Sequence, residues 1–163
     1  MQPLLVRKAQ PADLPGILEL YATARKFMQE HGNPTQWGDS YPPQELLQQD
    51  MAADQLYVET NETGIHGVFV LMQGEDPMYR VIEQGKWLSD APYMAIHRVA
   101  GDGTVRGVFA TAVAFALRRC PHLRVDTHAE NRVMQACITK AGFTPCGIVY
   151  TETGSPRIAY ERL

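Results

Sequence analysis

The segment from His97 to Arg119, HRVAGDGTVRGVFATAVAFALRR, constrains the fold more than any other part of the chain. Alternating residues predict a strand over Tyr93–Val99, and the glycines that follow mark a turn. The apolar run after them predicts a helix over Thr104–Arg119, which ends before Pro121. A strand joined by a glycine turn to a long apolar helix is typical of a sheet covered by helices.

The other elements are predicted from hydrophobic period and turn residues. Apolar side chains at helical spacing predict a helix that starts after Asp13 and ends at Gly32. Further strands and helices are expected at Leu4–Val6, Gln44–Ala53, Gln55–Thr60, Ile65–Met72, Met78–Gln84, Leu123–Thr127, Arg132–Ala141, Gly147–Tyr150 and Arg157–Tyr160. This order predicts one domain over residues 1–163, of α/β or mixed α+β class, with helices on both faces of the sheet.

Charge and hydropathy limit the classes of function. The chain carries 15 Lys and Arg against 18 Asp and Glu, a formal net charge of −3, with no basic block. This balance argues against nucleic-acid binding. No apolar run approaches the roughly 20 residues that a membrane-spanning helix needs. The start of the chain also lacks the pattern of a signal peptide.

Cysteine and histidine spacing argues against disulfides and metals. The three cysteines are far apart, which predicts neither a disulfide framework nor a zinc site. The five histidines include neither an HxxxH nor an HExxH pattern, so we expect no metal site. A reducing, cytoplasmic location is the natural expectation.

The start of the predicted long helix is a candidate anion site. Backbone N–H groups at a helix N-terminus are unpaired and carry partial positive charge, which suits a phosphate. Arg106 could add a charged contact. The segment is not a P-loop, and Gly101, Gly103 and Gly107 lack the spacing of a GxGxxG motif. An ordinary strand-to-helix turn remains the alternative.

A second polar segment ends the strand predicted over Leu123–Thr127. Asp126 and His128 alternate with apolar neighbours, which places polar side chains on one face of that strand. Open α/β sheets bind ligands at this end of their strands. Asn131 stands at the start of the next helix, where capping is the alternative to a role in binding.

Together these segments resemble the GNAT acyltransferase superfamily. The first turn of that family reads Gln/Arg-x-x-Gly-x-Gly/Ala, and Thr104, Gly107 and Phe109 occupy those positions here. The segment Asn131–Phe143 is similar to the family's Asn-x-x-Ala…Gly-Phe pattern. The N-terminal VRKAQPADLPGILELYATAR resembles the family's opening strand and helix, so the likeness extends over most of the chain.

The resemblance implies a mixed, mostly antiparallel sheet that is splayed between its fourth and fifth strands and binds acetyl-CoA in the opening. The fourth strand, at His97 to Val99, would pair with the pantetheine arm and polarise the thioester carbonyl. Asn131 would contact the cofactor near the pantetheine. The pyrophosphate would lie against the amides of Arg106, Gly107, Val108, Phe109 and Ala110.

The resemblance also implies direct attack by a primary amine of a small molecule or peptide in a ternary complex. Because such an amine is protonated at neutral pH, a base is useful. His97 is the best-placed titratable side chain and Tyr150 is a lesser candidate, although both also suit packing roles. The candidates for contact with the acceptor amine are Trp37, Tyr93, Asp126 and His128.

A non-catalytic GNAT-like module that binds CoA or another ligand, as a sensor or interaction partner, is the alternative. Three departures from the family pattern motivate it. Thr104 replaces Gln or Arg, Phe109 replaces a small residue, and Ile138 stands where many members carry a proton-donating tyrosine. The last hairpin could also pair two copies of the chain as a homodimer.

Overall fold

Seven strands form one mixed sheet in the computed structural model, which describes residues 3–163. They are β1 (Leu5–Lys8), β2 (Leu56–Asn61), β3 (Gly64–Gln73), β4 (Met94–Gly101), β5 (Leu123–Thr127), β6 (Thr144–Tyr150) and β7 (Pro156–Arg162). Their spatial order is β1-β2-β3-β4-β5-β7-β6. Only β4 and β5 pair in parallel, and all other neighbours are antiparallel. The prediction of a mixed, mostly antiparallel sheet is confirmed.

Helices cover both faces of this sheet, as the sequence predicts. The α-helices of the described chain are α1 (Leu14–Glu30), α2 (Gln44–Ala52), α3 (Val108–Leu117) and α4 (Arg132–Lys140), with 3-10 turns at Pro11–Asp13 and Pro77–Tyr79. One apolar cluster joins α1 and α2 to β2 and β3, and another joins α3 and α4 to the opposite face. None of the helices in residues 3–163 has the length and apolar character needed to cross a membrane.

The helix predicted from Thr104 begins later, at Val108. Gly107 precedes it with φ 86°, in the left-handed region that an α-helix does not continue. The residues from Asp102 to Arg106 therefore form a loop that leads into α3.

The short helix predicted over Met78–Gln84 is also wrong. A single 3-10 turn stands at Pro77–Tyr79, where the carboxylate of Asp76 accepts a hydrogen bond from the Met78 N–H at 2.9 Å. Beyond it the chain extends and bridges to β6 through Glu83. The proline fixes the start of the turn, and the extended backbone that follows ends it.

The parallel strands β4 and β5 stay together over only two residue pairs, Met94 with Leu123 and Ala95 with Arg124, and then part. Buried charges close the paired end. The carboxylate of Glu161 accepts hydrogen bonds from Arg124 Nε at 2.8 Å and from His122 Nε2. We call this the closed end of the β4–β5 pair, and we call the separated end the open end.

Candidate functional site

A cleft of about 800 Å³ occupies the open end, between the separated parts of β4 and β5. Side chains of both strands line it, together with the segment between α1 and α2 and the first residues of α3 and α4. Residues that are distant in sequence therefore meet where the sheet parts.

Arg98 forms the bend in β4 that accompanies the opening. Its φ is 51°, and β4 carries one more residue than β3 at this point, which is a β-bulge. Such a backbone conformation costs about 1–3 kcal/mol, so surrounding contacts must hold it. The Arg98 carbonyl accepts a hydrogen bond from Tyr21 Oη at 2.6 Å, and its guanidinium donates to Asp50 at 2.8 Å and Tyr41 Oη at 3.2 Å.

His97, immediately before the bulge, lies between two carboxylates. Its Nε2 is 2.6 Å from Oδ2 of Asp76, whereas its Nδ1 is 3.8 Å from Oδ1 of Asp126, which is too far for a hydrogen bond. Burial would raise the pKa of Asp76, but the hydrogen bond and charge of His97 outweigh it and lower that pKa. Because an ionised Asp76 accepts a hydrogen bond from the Nε2–H group, a neutral His97 carries its lone pair on Nδ1, which faces Asp126.

Tyrosine hydroxyls hold both Asp76 and Asp126 in place. Tyr79 donates to Oδ1 of Asp126 at 2.6 Å, and the Asp76 N–H donates to the hydroxyl of Tyr93 at 2.7 Å. Burial, followed by the charge of Asp126, raises the pKa of Tyr79 well above its ordinary value. Tyr79 therefore keeps its proton and holds Asp126 as an acceptor.

The N-terminus of α3 borders open space. A Cβ added at Gly107 or at Gly103 would meet no heavy atom within 4 Å. Phe109 is only 6% exposed and its ring packs 6.1 Å from that of Phe143, so it turns into the core. The first-turn amides of α3, with their partial positive charge, are thus not covered by the phenylalanine ring.

Comparison with known proteins supplies the family. A family model described as an acetyltransferase (GNAT) domain matches residues 3–144. The chain belongs to this family. A search of curated proteins gives no match.

Solved GNAT structures share the fold over nearly the whole chain. A GNAT acetyltransferase from Streptococcus agalactiae is 28% identical, with a TM-score of 0.88 over 98% of this chain and 95% of that one. An acetyltransferase from Staphylococcus aureus is 24% identical, with a TM-score of 0.69 over 97% of each chain. One from Salmonella typhimurium, solved with its cofactor acetyl-CoA, is 14% identical, with a TM-score of 0.63 over 98% and 93%.

Most residues singled out from the sequence gather around the cleft of this GNAT chain. Those that line it are Trp37, His97, Val99, Phe109, Asp126, Asn131 and Tyr150. Those at the start of α3 are Arg106, Gly107, Val108 and Ala110. The Asn131 side chain caps α4 by accepting from the Met134 N–H at 3.0 Å, and it also donates to Gln36.

Tyr150 lines the cleft but already has a hydrogen-bonding partner, and the candidates Tyr93 and His128 are not among the residues that line it. The hydroxyl of Tyr150 donates to Glu83 at 3.1 Å, and this hydrogen bond raises the pKa of Tyr150. Tyr93 does not line the cleft, and its hydroxyl accepts a hydrogen bond from the Asp76 N–H. His128 accepts from the Glu130 N–H at 3.0 Å, and burial lowers its pKa.

Asp76 and Arg157 are among the charged residues of the cleft that sequence reasoning missed. Asp76 lies in a segment without periodicity, where an Asp-Pro pair signals a turn but not a partner for His97. Arg157 lies on β7 and is 7% exposed. Its alternation with the buried Ala159 is the signal that could have placed it on an inward face.

Within residues 3–163, no group of three or more His, Cys, Asp or Glu side chains is arranged to hold a metal ion. The cleft offers an imidazole, carboxylates, guanidinium groups and backbone amides.

Proposed function

We propose that this GNAT chain transfers an acetyl group from acetyl-CoA to a primary amine of a small molecule or peptide, by direct attack in a ternary complex. One observation carries the proposal: His97 stands where β4 and β5 part, with Nε2 on an ionised Asp76 and Nδ1 free of a hydrogen-bonding partner at 3.8 Å from Asp126. An imidazole held in this way suits removal of a proton from an amine.

The α3 end of the cleft supports binding of acetyl-CoA. Gly107 brings no side chain near the first-turn amides, and the buried ring of Phe109 leaves that space free. Exposed Arg106 can add a positive charge beside a pyrophosphate. The Salmonella structure of the same fold contains acetyl-CoA, which agrees with this assignment.

In the proposed reaction a C–N bond forms and the thioester C–S bond breaks. His97 Nδ1 accepts the proton that the amine loses, and Asp76 stabilises the imidazolium that results. A backbone N–H of β4 near Val99 polarises the thioester carbonyl. Ile138 is fully buried and cannot donate a proton, so the thiolate is protonated from solvent, as its ordinary pKa of about 8.5 allows.

The test combines binding and turnover. We expect acetyl-CoA and CoA to raise the melting temperature. At a ligand concentration one hundred times Kd, the free energy of unfolding should increase by about 2.7 kcal/mol. We also expect thiol release with acetyl-CoA when a panel of primary amines is added. A melting shift without thiol release across the panel would instead favour the non-catalytic CoA-binding module.

We also propose that the protein is located in the cytoplasm. The cysteines Cys120, Cys137 and Cys146 are free thiols. Free thiols support a cytoplasmic, reducing compartment, where acetyl-CoA chemistry would also have its co-substrate.

A further inference from the structure

The buried guanidinium groups of this chain differ in their counter-ions. Arg98 pairs with Asp50 and Arg124 pairs with Glu161, each at 2.8 Å. Arg157 is 7% exposed, and no carboxylate of residues 3–163 comes within 4.0 Å of it. A buried charge without a counter-ion is costly, so Arg157 needs an explanation.

Uncharged oxygens are the hydrogen-bonding partners of Arg157. Its Nη1 donates to Ser155 Oγ and to the Pro156 carbonyl, and its Nη2 donates to the Gln36 carbonyl at 3.2 Å. Burial lowers the pKa of Arg157, against an opposing effect of the more distant Asp126. These bonds orient the guanidinium but leave its charge without a close anion.

Arg157 lines the cleft together with Trp37 and Asp126, two of the sequence candidates for contact with the acceptor. Asp126 on β5 pairs with Ala159 on β7, which makes Asp126 and Arg157 diagonal neighbours on one face of the sheet. Such neighbours have Cα atoms about 7–8 Å apart. His97 on β4 shares this face, because Ala95 pairs with Arg124 two residues earlier on each strand. A base, an anion and a cation therefore stand in a row on three adjacent strands.

We propose that Arg157 binds a carboxylate of the acyl acceptor, so that the acceptor is an amino acid rather than a simple amine. This inference rests on the proposed acetyl transfer. The acceptor ammonium lies against Asp126 and Nδ1 of His97, to which it gives its proton, and the acceptor carboxylate completes the guanidinium pair. Trp37, Met72 and Met78 line the same cleft, so an apolar side chain fits best.

Matched pairs of acceptors test the inference. Phenylalanine is compared with 2-phenylethylamine, and methionine with 3-(methylthio)propylamine, since each pair differs only in the carboxylate. With the parent protein we expect kcat/KM to be at least about tenfold higher for the amino acid, mainly through KM. Calorimetry in the presence of CoA should show binding of the amino acid and weaker binding of the amine.

Arg157→Gln should reduce that preference at least about tenfold, and Arg157→Lys should restore part of it. The two acceptors of a pair also differ in amine basicity, which contributes to the preference of the parent. The change in preference between parent and variant is therefore the deciding measurement. A purely structural role, holding the Gln36 carbonyl, would lower both activities of a pair together. Arg118→Gln, an exposed arginine at the end of α3, removes the same charge outside the cleft and should leave the preference unchanged.

The outcomes separate this inference from the proposed function. Thiol release that is equal or faster with the decarboxylated amines overturns the carboxylate site and leaves acetyl transfer standing. Binding of the amino acid that depends on Arg157, without thiol release, supports the carboxylate site and overturns acetyl transfer. If Arg157→Gln does not fold, the preference of the parent and its partial retention in Arg157→Lys decide the matter. An absence of both binding and turnover overturns both ideas.

Discussion

The two ends of the β4–β5 pair hold cavities of similar size, but their buried arginines, Arg124 and Arg157, differ in their counter-ions. The closed end has a cavity of about 760 Å³, and the open end one of about 800 Å³. At the closed end, Arg124 is paired with Glu161 and stacks on Trp87 and Tyr93 at 3.9 and 4.1 Å. At the open end, Arg157 has no carboxylate within 4.0 Å among the described residues. Volume does not distinguish the two cavities, whereas, within residues 3–163, the presence of a counter-ion at Arg124 and its absence at Arg157 does.

From this difference we expect the closed end to contribute stability and the open end to carry the proposed chemistry. Charges that already have partners hold strands together and offer little to a ligand. Charges without partners weaken the folded state and gain from a ligand, which is the usual trade-off at functional sites. The following predictions test that division.

The largest effect is expected at the closed end, from Glu161→Ala. The change leaves Arg124 and His122 buried without their carboxylate, which should cost about 3–5 kcal/mol of unfolding free energy. Chemical denaturation measures this loss. The kcat of the protein that remains folded should stay close to that of the parent. A loss below about 1 kcal/mol would contradict the structural role given to the closed end.

At the open end, His97→Ala should lower turnover more than it lowers stability. We expect kcat to fall at least about 100-fold, because the proposed base is removed, while the Kd for CoA changes little. The loss of unfolding free energy should be smaller than for Glu161→Ala. Rates of the variant and of the parent are compared between about pH 6 and 9. Kinetics that match the parent over this range would show that another group is the base.

Gly107→Glu should weaken CoA binding at least about tenfold, or 1.4 kcal/mol. The new side chain places bulk and negative charge beside the first-turn amides of α3, on a backbone with φ 86°. Gly32→Glu is the matched control, because Gly32 has φ 78° and open space but ends α1. Both variants should lose similar stability, and only Gly107→Glu should lose affinity in calorimetry.

A pH-dependent effect is expected at Glu59, a buried carboxyl whose two oxygens have no hydrogen-bonding partner among the described residues. Burial raises the pKa of Glu59 to about 8, from an ordinary value of 4.5. Between these values the folded state holds the proton more tightly than the unfolded state, so this residue makes stability fall as pH rises.

Glu59→Gln removes that contribution. The variant should match the parent near pH 4.5 and gain over it by up to about 1.4 kcal/mol per pH unit, with no further gain above about pH 8. Denaturation of both proteins across this range measures the difference. A parallel pH dependence of the two would mean that Glu59 is ionised in the fold.

The elements were more accessible from the sequence than the site was. Hydrophobic period and glycine turns predict most of the helices and strands, because each depends on neighbours within a few residues. The prediction of a short helix at Met78–Gln84 was wrong because one Asp-Pro turn outweighs the weak helical preference of the residues after it. The splay of β4 and β5 followed from the family resemblance, since no local pattern indicates where two strands part.

The site depends on partners that are distant in the sequence. His97 stands out as a histidine on a strand, but its partner Asp76 lies in an irregular segment that shows no period. Arg157 looks like an ordinary strand arginine until its lack of a carboxylate is seen. Arg98 carries no signal for its positive φ, because that conformation is set by contacts from α1, α2 and Tyr41.

The bulge at Arg98 also links the segment between α1 and α2 to the backbone of β4. Tyr41 lies in that segment, and its hydroxyl oxygen accepts a hydrogen bond from the Arg98 guanidinium, which also donates to Asp50. Protein engineers who exchange residues 33–43 to redesign the lining of the cleft would therefore alter the geometry of β4 as well. Retaining Tyr41 and Asp50 in such chimeras should keep the β4 backbone in place.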